Sequence, residues 1–296
     1  MDYKGIGGRS GQEAEETAKD RIHRIDAYGF ERPKDFDYAS YEEFYSGYLE
    51  ILTRRAIKWS KLLQRNNGVE KSLKDLNRTF PDNVRFRKTS SPCLQQELYN
   101  VLVAYGHHNK NIGYCQGMNF ITGYLILITR DEEKSFWLLD ALIGRILPDY
   151  YSPAMIGLKT DQEVLGELIR MKIPAVADLM DSQGVMWTLV VSRWFICLFI
   201  DILPVETVLR IWDCLFYEGS KILFRVALTL IKQQQARILE AKNFPDVCDK
   251  FKEIIKGPFV MECHTFIQKI FTAPGSLSMK TINKLRDTCK ARLVQG

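Results

Sequence analysis

Residues 185–202 read "VMWTLVVSRWFICLFIDI", with Trp187, Val191, Trp194, Leu198 and Ile202 recurring every three or four positions. That period lines one face of a helix. It cannot line one face of a strand, where like residues fall at every second position. Arg193 lies inside the run, and Asp201 and Pro204 close it. Its uninterrupted apolar length falls short of the ~18–20 residues that cross a bilayer. A core helix is expected.

The rest of the chain repeats this period with the punctuation that helices need. From Ser40 to Leu63, the residues Phe44, Tyr48, Ile51, Leu52, Trp59 and Leu63 share a stripe, and Ser40 with Glu43 forms a capping box. Residues 91–106 place Leu94, Leu98, Val101, Leu102 and Tyr105 on one face, with Gly106 as the stop and "HHNKNI" as a loop. Further helices are expected over 131–147 (Pro148 follows), 161–171, 174–182, 220–242, 245–255, 259–271 and 278–292. Another should start with Pro204 in its first turn and end at Gly219. Strand alternation, internal repeats and low-complexity tracts are all missing from the sequence, so the expected fold class is all-α. Residues 1–24 are polar and glycine-containing, without an apolar leader segment, and are expected to be a mobile, dispensable tail.

Composition narrows the function classes. A net charge of +5 over 296 residues is mildly basic, and the charges alternate in sign along most of the chain. That pattern does not suggest a nucleic-acid partner. Seven scattered cysteines form no Cys-x-x-Cys pair, and there are four histidines in all. Little supports a metal site, and thiols within apolar runs suit a reduced, cytoplasmic setting with at most peripheral membrane contact. His107 and His108 read as solvated, and Cys115 as a structural thiol with no histidine–carboxylate partner evident. Arg193, Asp201, Arg210 and Asp213 are candidates for internal ion pairs.

Two short stretches carry possible chemistry. In "IGYCQGMNF", residues 112–120, Gln116 sits between a cysteine and a glycine where an apolar helix begins. With the helix starting near Asn111, Tyr114, Met118, Ile121, Leu125 and Ile128 would form its buried face, leaving Gln116 in the first turn and off that face. Gly113 and Gly117 would then keep the surface bare for the approach of another molecule, and unpaired amides at the helix start would favour an anion. The bland alternative is that Gln116 caps nearby backbone and the glycines ease packing. In "LKDLNRTFPDN", residues 73–83, Asp75 and Arg78 stand three apart before Pro81, so a carboxylate could brace a projecting guanidinium. A surface pair of that kind is by itself unremarkable.

Together, and in this order, the two stretches resemble the TBC family of GTPase-activating proteins for Rab GTPases. The family's arginine motif, Ile-x-x-Asp-x-x-Arg, is matched by Ser72 through Arg78, with serine in place of the leading isoleucine. Its Tyr-x-Gln motif is matched by Tyr114-Cys115-Gln116, followed by Gly117. The long block from Ser192 to Ile231 is similar to the family's downstream conserved block, and the likeness spans roughly residues 35–285.

The resemblance implies an all-α domain of two helical subdomains that supplies Arg78 as an arginine finger and Gln116 as a glutamine finger. Asp75, Tyr114 and Gly117 would support them. The partner would be a Rab-family GTPase in its GTP-bound form, bringing its own Mg²⁺ and nucleotide, so no cofactor is expected of this chain. It also implies an N-terminal subdomain that is shortened, because "WSKLLQRNNGVEKSLKDL" passes directly to the arginine motif where the family has several helices. The organisation expected is a tail over 1–24, an N-terminal helical region over 25–64, a TBC domain over 65–285 and a C-terminal tail over 286–296. The competing expectation is a catalytically impaired Rab-binding or scaffold protein whose fingers no longer align.

Overall fold

A computed structural model describes residues 25–33, 35–63, 78–87 and 93–295. The tail 1–24, the connection 64–76 with Ser72 and Asp75, and the expectations attached to them lie outside the described residues.

Helices in chain order are α1 (Tyr38–Leu63), α2 (Leu94–His108), α3 (Met118–Thr129), α4 (Glu132–Asp140), α5 (Ile156–Lys172), α6 (Pro174–Ser182) and α7 (Trp187–Ile196). They continue with α8 (Val205–Glu218), α9 (Lys221–Gln233), α10 (Gln235–Ile238), α11 (Phe244–Glu253), α12 (Pro258–Met261), α13 (Cys263–Thr272) and α14 (Met279–Gln295). The described residues contain no strand beyond two isolated bridges, Ile25 with Glu31 and Phe30 with Asn83. The fold is all-α.

Several boundaries differ from the sequence expectation, each for a local reason. Asp37, not Ser40, caps α1: its carboxylate accepts from the Ser40 amide at 3.1 Å and from the Ser40 hydroxyl at 2.6 Å. Gly106 does not stop α2, which runs on to His108. The two histidines are therefore its last turn, with the His108 ring against Phe136 and Trp137. The expected 131–147 helix is α4 continued by a π-helical turn, Ala141–Ile146. The 185–202 run breaks after Ile196, because Leu198, Phe199 and Asp201 all take positive φ values. In that turn the Leu198 carbonyl accepts from the Trp212 indole at 3.2 Å, which locks α7 to α8. Trp187, Trp194 and Trp212 are all core, as their stripe requires.

The helices form two packing groups around one apolar core: α1–α4, and α5 to α9 with α13 and α14. Within the second group, Gly166 on α5 leaves room for Trp187 of α7. A Cβ there would lie 2.5 Å from the indole Cδ1. The carbonyls that end α13 are met by cations, with Arg225 donating to Ile270 and Phe271, Lys232 to Ala273, and Lys172 to Pro274 and Ser276. This is the charge that a helix C-terminus favours.

The helix expected over 278–292 is α14, which runs on to Gln295 through the segment assigned to a C-terminal tail. Arg286 holds the buried Asp161 through Nε and Nη2 with two bonds of 2.7 Å, and the same Nη2 also donates to the Ser220 hydroxyl at 2.8 Å. Removing the arginine leaves the buried carboxylate without its countercharge, with the Tyr150 hydroxyl as its remaining side-chain donor. Arg286→Ala is therefore expected to lower unfolding free energy by about 3–5 kcal/mol, measured by urea titration. Arg292→Ala breaks a half-exposed pair with Glu167 and should change it by only about 0–1 kcal/mol. Equal effects from the two substitutions would overturn this account of α14.

Candidate functional site

Helix α3 is apolar nearly all round, and nine of its residues, from Met118 to Leu127, are buried. One of the nine is Asn119, only 2% exposed. A buried amide is tolerated only when its donor and acceptor are both used. Here its Nδ2 donates to the Thr79 hydroxyl at 2.9 Å. Its Oδ1 accepts from the Gly117 amide at 3.1 Å and from the Tyr114 hydroxyl at 3.4 Å. The orientation follows from chemistry: a backbone N–H can only donate, so the amide oxygen must face Gly117.

Thr79 precedes Phe80, which is buried with φ of +50°, a conformation strained for an aromatic residue. The surroundings hold it there. Its ring is packed by Phe30, Phe86, Phe120 and Tyr124, with centroids 5.2–5.6 Å away. Its edge enters a notch on α3 made by Gly123, where a Cβ would lie 2.7 Å from the ring. Asn83 completes the clamp, donating from Nδ2 to the Tyr28 carbonyl at 3.0 Å and capping the short 3₁₀ turn Val84–Phe86. The loop 78–83 is therefore fastened at Thr79, Phe80 and Asn83, while Arg78 stays exposed.

Gln116 is also exposed, but it is not in a helix. It lies in the turn before α3, which begins seven residues later than the sequence start at Asn111, at Met118. Gly117 is the N-cap with φ of +108°, which a residue bearing Cβ adopts only with strain. It is buried against Ile196, so of the two glycines expected to leave a bare surface, only Gly113, φ +61°, opens onto space. Two of the amides at the helix start are already used, since Gly117 donates to the Asn119 side chain and Met118 to the Cys115 carbonyl at 3.1 Å. Tyr114 is half-buried, and its hydroxyl joins the same amide.

The structure thus brings Arg78, Gln116, Tyr114 and Gly117 onto one frame, while Asp75 lies outside the described residues. Asn119, Thr79, Phe80 and Gly123 were missed by the sequence reading. A lone amide two residues into "MNFITGYLILIT" was the available signal. Beside the frame, Arg193 meets Asp201 at 3.3 Å in a largely exposed pair, not an internal one. Burial pushes the Asp201 carboxyl up, Arg193 opposes that, and Asp82 of the loop adds to it. Asp213 instead pairs at 2.7 Å with the buried Arg55. Burial also raises the Cys115 thiol, the opposite of what a nucleophilic thiolate needs.

The Rab-GTPase-TBC domain pattern matches residues 54–239. The chain is 75% identical over 281 residues to growth hormone-regulated TBC protein 1 of Rattus norvegicus, an alignment taking in 95% of this chain and 97% of the relative. It is 63% identical to the protein of the same name in Homo sapiens over 328 residues, with 93% and 98% covered. Among solved structures, the TBC domain of a Chlamydomonas flagellar RabGAP superposes with a TM-score of 0.57 at 29% identity, covering 78% of this chain and 72% of that one. The human alignment is longer than the 296 residues of this chain. That relative therefore carries sequence for which this chain has no counterpart.

The notch at Gly123 is directly testable. Gly123→Ala should lower unfolding free energy by about 1–3 kcal/mol, because the new methyl forces the Phe80 ring aside. In a Phe80→Ala background the same change should cost much less or be neutral, since the ring clash is gone and only the Thr79 methyl, 3.3 Å from the new Cβ, still opposes the gain in helix propensity. The same loss in both backgrounds, measured by denaturant unfolding, would contradict the notch.

Proposed function

The chain belongs to the Rab-GTPase-TBC domain family, and from that premise we propose that it is a GTPase-activating protein for a Rab-family small GTPase in its GTP-bound form. Hydrolysis in such a partner is limited by how water is positioned and by charge spreading over the transferring phosphoryl group. Arg78 supplies a planar cation able to meet two oxygens of that group, and Gln116 orients the attacking water. Nucleotide and Mg²⁺ arrive with the GTPase. Tyr114 and Gly117 hold the turn that presents Gln116, and Asp75 braces the arginine loop.

One observation carries this reading. Two exposed polar side chains, Arg78 and Gln116, each sit next to a residue that is buried and bonded to the same amide of Asn119. Exposed tips on a buried, hydrogen-bonded base are what a group acting on another molecule's reaction requires. A second reading, a Rab-binding protein with impaired catalysis, is favoured by the sequence that the human relative has and this chain lacks. It keeps the partner and drops the rate.

Single-turnover GTP hydrolysis across a panel of GTP-loaded Rabs separates the two. The proposal expects strong stimulation of at least one Rab. Arg78→Ala should remove most of it, on the order of 10³-fold or more where the finger acts fully. Arg78→Lys should rescue poorly because the ammonium lacks the planar fork. Gln116→Ala should also abolish most stimulation, and the double variant should be scarcely worse than either single. Binding to GTP-loaded Rab should fall much less than rate. Stimulation that persists in both single variants would refute the two-finger assignment. Binding without stimulation in the unaltered protein would select the second reading.

A further inference from the structure

The two finger loops are far apart in sequence, and nothing in the chain's connectivity sets their spacing. We propose that Asn119 is a positioning residue for both: its side-chain amide is a strut between the loop of Arg78 and the turn of Gln116, so that the two tips act as one preset unit. This inference rests on the reading above for its catalytic meaning, while the strut itself is a statement about the fold.

The chemistry selects an amide. At one end Oδ1 must accept from the Gly117 N–H, and at the other Nδ2 must donate to the Thr79 hydroxyl, at 3.1 and 2.9 Å. A carboxylate lacks the donor, a hydroxyl is too short to serve both ends, and an apolar residue would leave the Gly117 amide buried without a partner. The amide is planar and rigid, so displacement at one end is passed to the other. Both partners are themselves confined, Thr79 at 1% exposure and Gly117 against Ile196 with a positive φ. Each lies one residue from a proposed finger. Asn119 touches neither the GTPase nor its nucleotide in this scheme, and its effect passes through Arg78 and Gln116.

The test cuts the strut without altering either finger. Thr79→Val keeps the shape of the side chain and removes the acceptor, whereas Thr79→Ser keeps the hydroxyl. With a Rab that the unaltered protein stimulates, Thr79→Val should lower the saturating single-turnover rate by about 10- to 100-fold, the scale of an ångström-sized misplacement. The half-saturating concentration should stay close to its starting value, and the melting temperature should fall by several degrees at most, because the buried Asn119 Nδ2 loses its acceptor. Thr79→Ser should restore the rate. In an Arg78→Ala background, Thr79→Val should lower the rate no further than Arg78→Ala alone. A merely structural threonine would lower the melting temperature and leave the saturating rate of the folded variant unchanged.

A second measurement needs no GTPase. Hydrogen exchange at the Gly117 amide should be strongly protected in the unaltered protein, and Thr79→Val should speed it at least tenfold, because freeing one end of the strut loosens the other. An unchanged saturating rate in folded Thr79→Val, or failure of Thr79→Ser to restore it, would overturn the positioning role. Unchanged exchange at Gly117 would overturn the strut. If the unaltered protein stimulates no Rab, the proposed activity fails, and the exchange result still decides the strut.

Discussion

The docking of loop 78–83 onto α3 is the contact on which the rest of the site depends. It works because α3 offers three complementary features within two turns: an amide at Asn119, an aromatic edge at Phe120 and Tyr124, and a missing side chain at Gly123. Phe80 enters with an unfavourable φ, and its burial among four aromatic rings offsets that strain. A loop held by packing at Phe80 and by hydrogen bonds at Thr79 and Asn83 can present Arg78 outward without moving at its base.

Ion pairs between distant segments then fix where the groups of helices sit. Asp26 holds Arg32 at 2.6 Å, and Arg32 reaches toward Glu206 at the start of α8. Arg55 joins α1 to Asp213 on α8, and Arg286 joins α14 to Asp161 on α5. Each places at least one charge where water is scarce, so losing a partner costs more than the pair itself contributes. Burial pushes the Glu206 carboxyl up, and the nearby Arg32 works against it. Such pairs tolerate little shift in register, which makes them locators as much as sources of stability.

The neighbouring turn 197–202 shows the same economy of means. Three positive-φ residues in that turn end α7, and Ile196 at its close walls in Gly117. The Leu198 carbonyl also takes the Trp212 indole proton. One turn thus sets the end of α7, anchors α8 and supports the turn that presents Gln116.

The sequence by itself determined the class of fold. Three-to-four-residue periodicity, capping residues and prolines act locally, so helices such as α6 and α8, and the core tryptophans, were legible without any partner segment. Arg78 and Gln116 were singled out through the resemblance of their short motifs to those of the TBC family; an Asp–Arg pair before a turn and a glutamine beside a glycine are by themselves unremarkable. Boundaries were less legible where tertiary contacts overrode local signals: Gly106 stays inside α2, the α7 run breaks at Leu198, and the final residues hold a buried carboxylate. The frame beneath the tips was decided only by tertiary structure. Thr79 and Asn119 are 40 residues apart, and Phe80 and Gly123 are complementary only once the loop and the helix meet. Hydrogen bonds and close packing between remote segments depend on where the whole chain places them, and no local window of sequence records that.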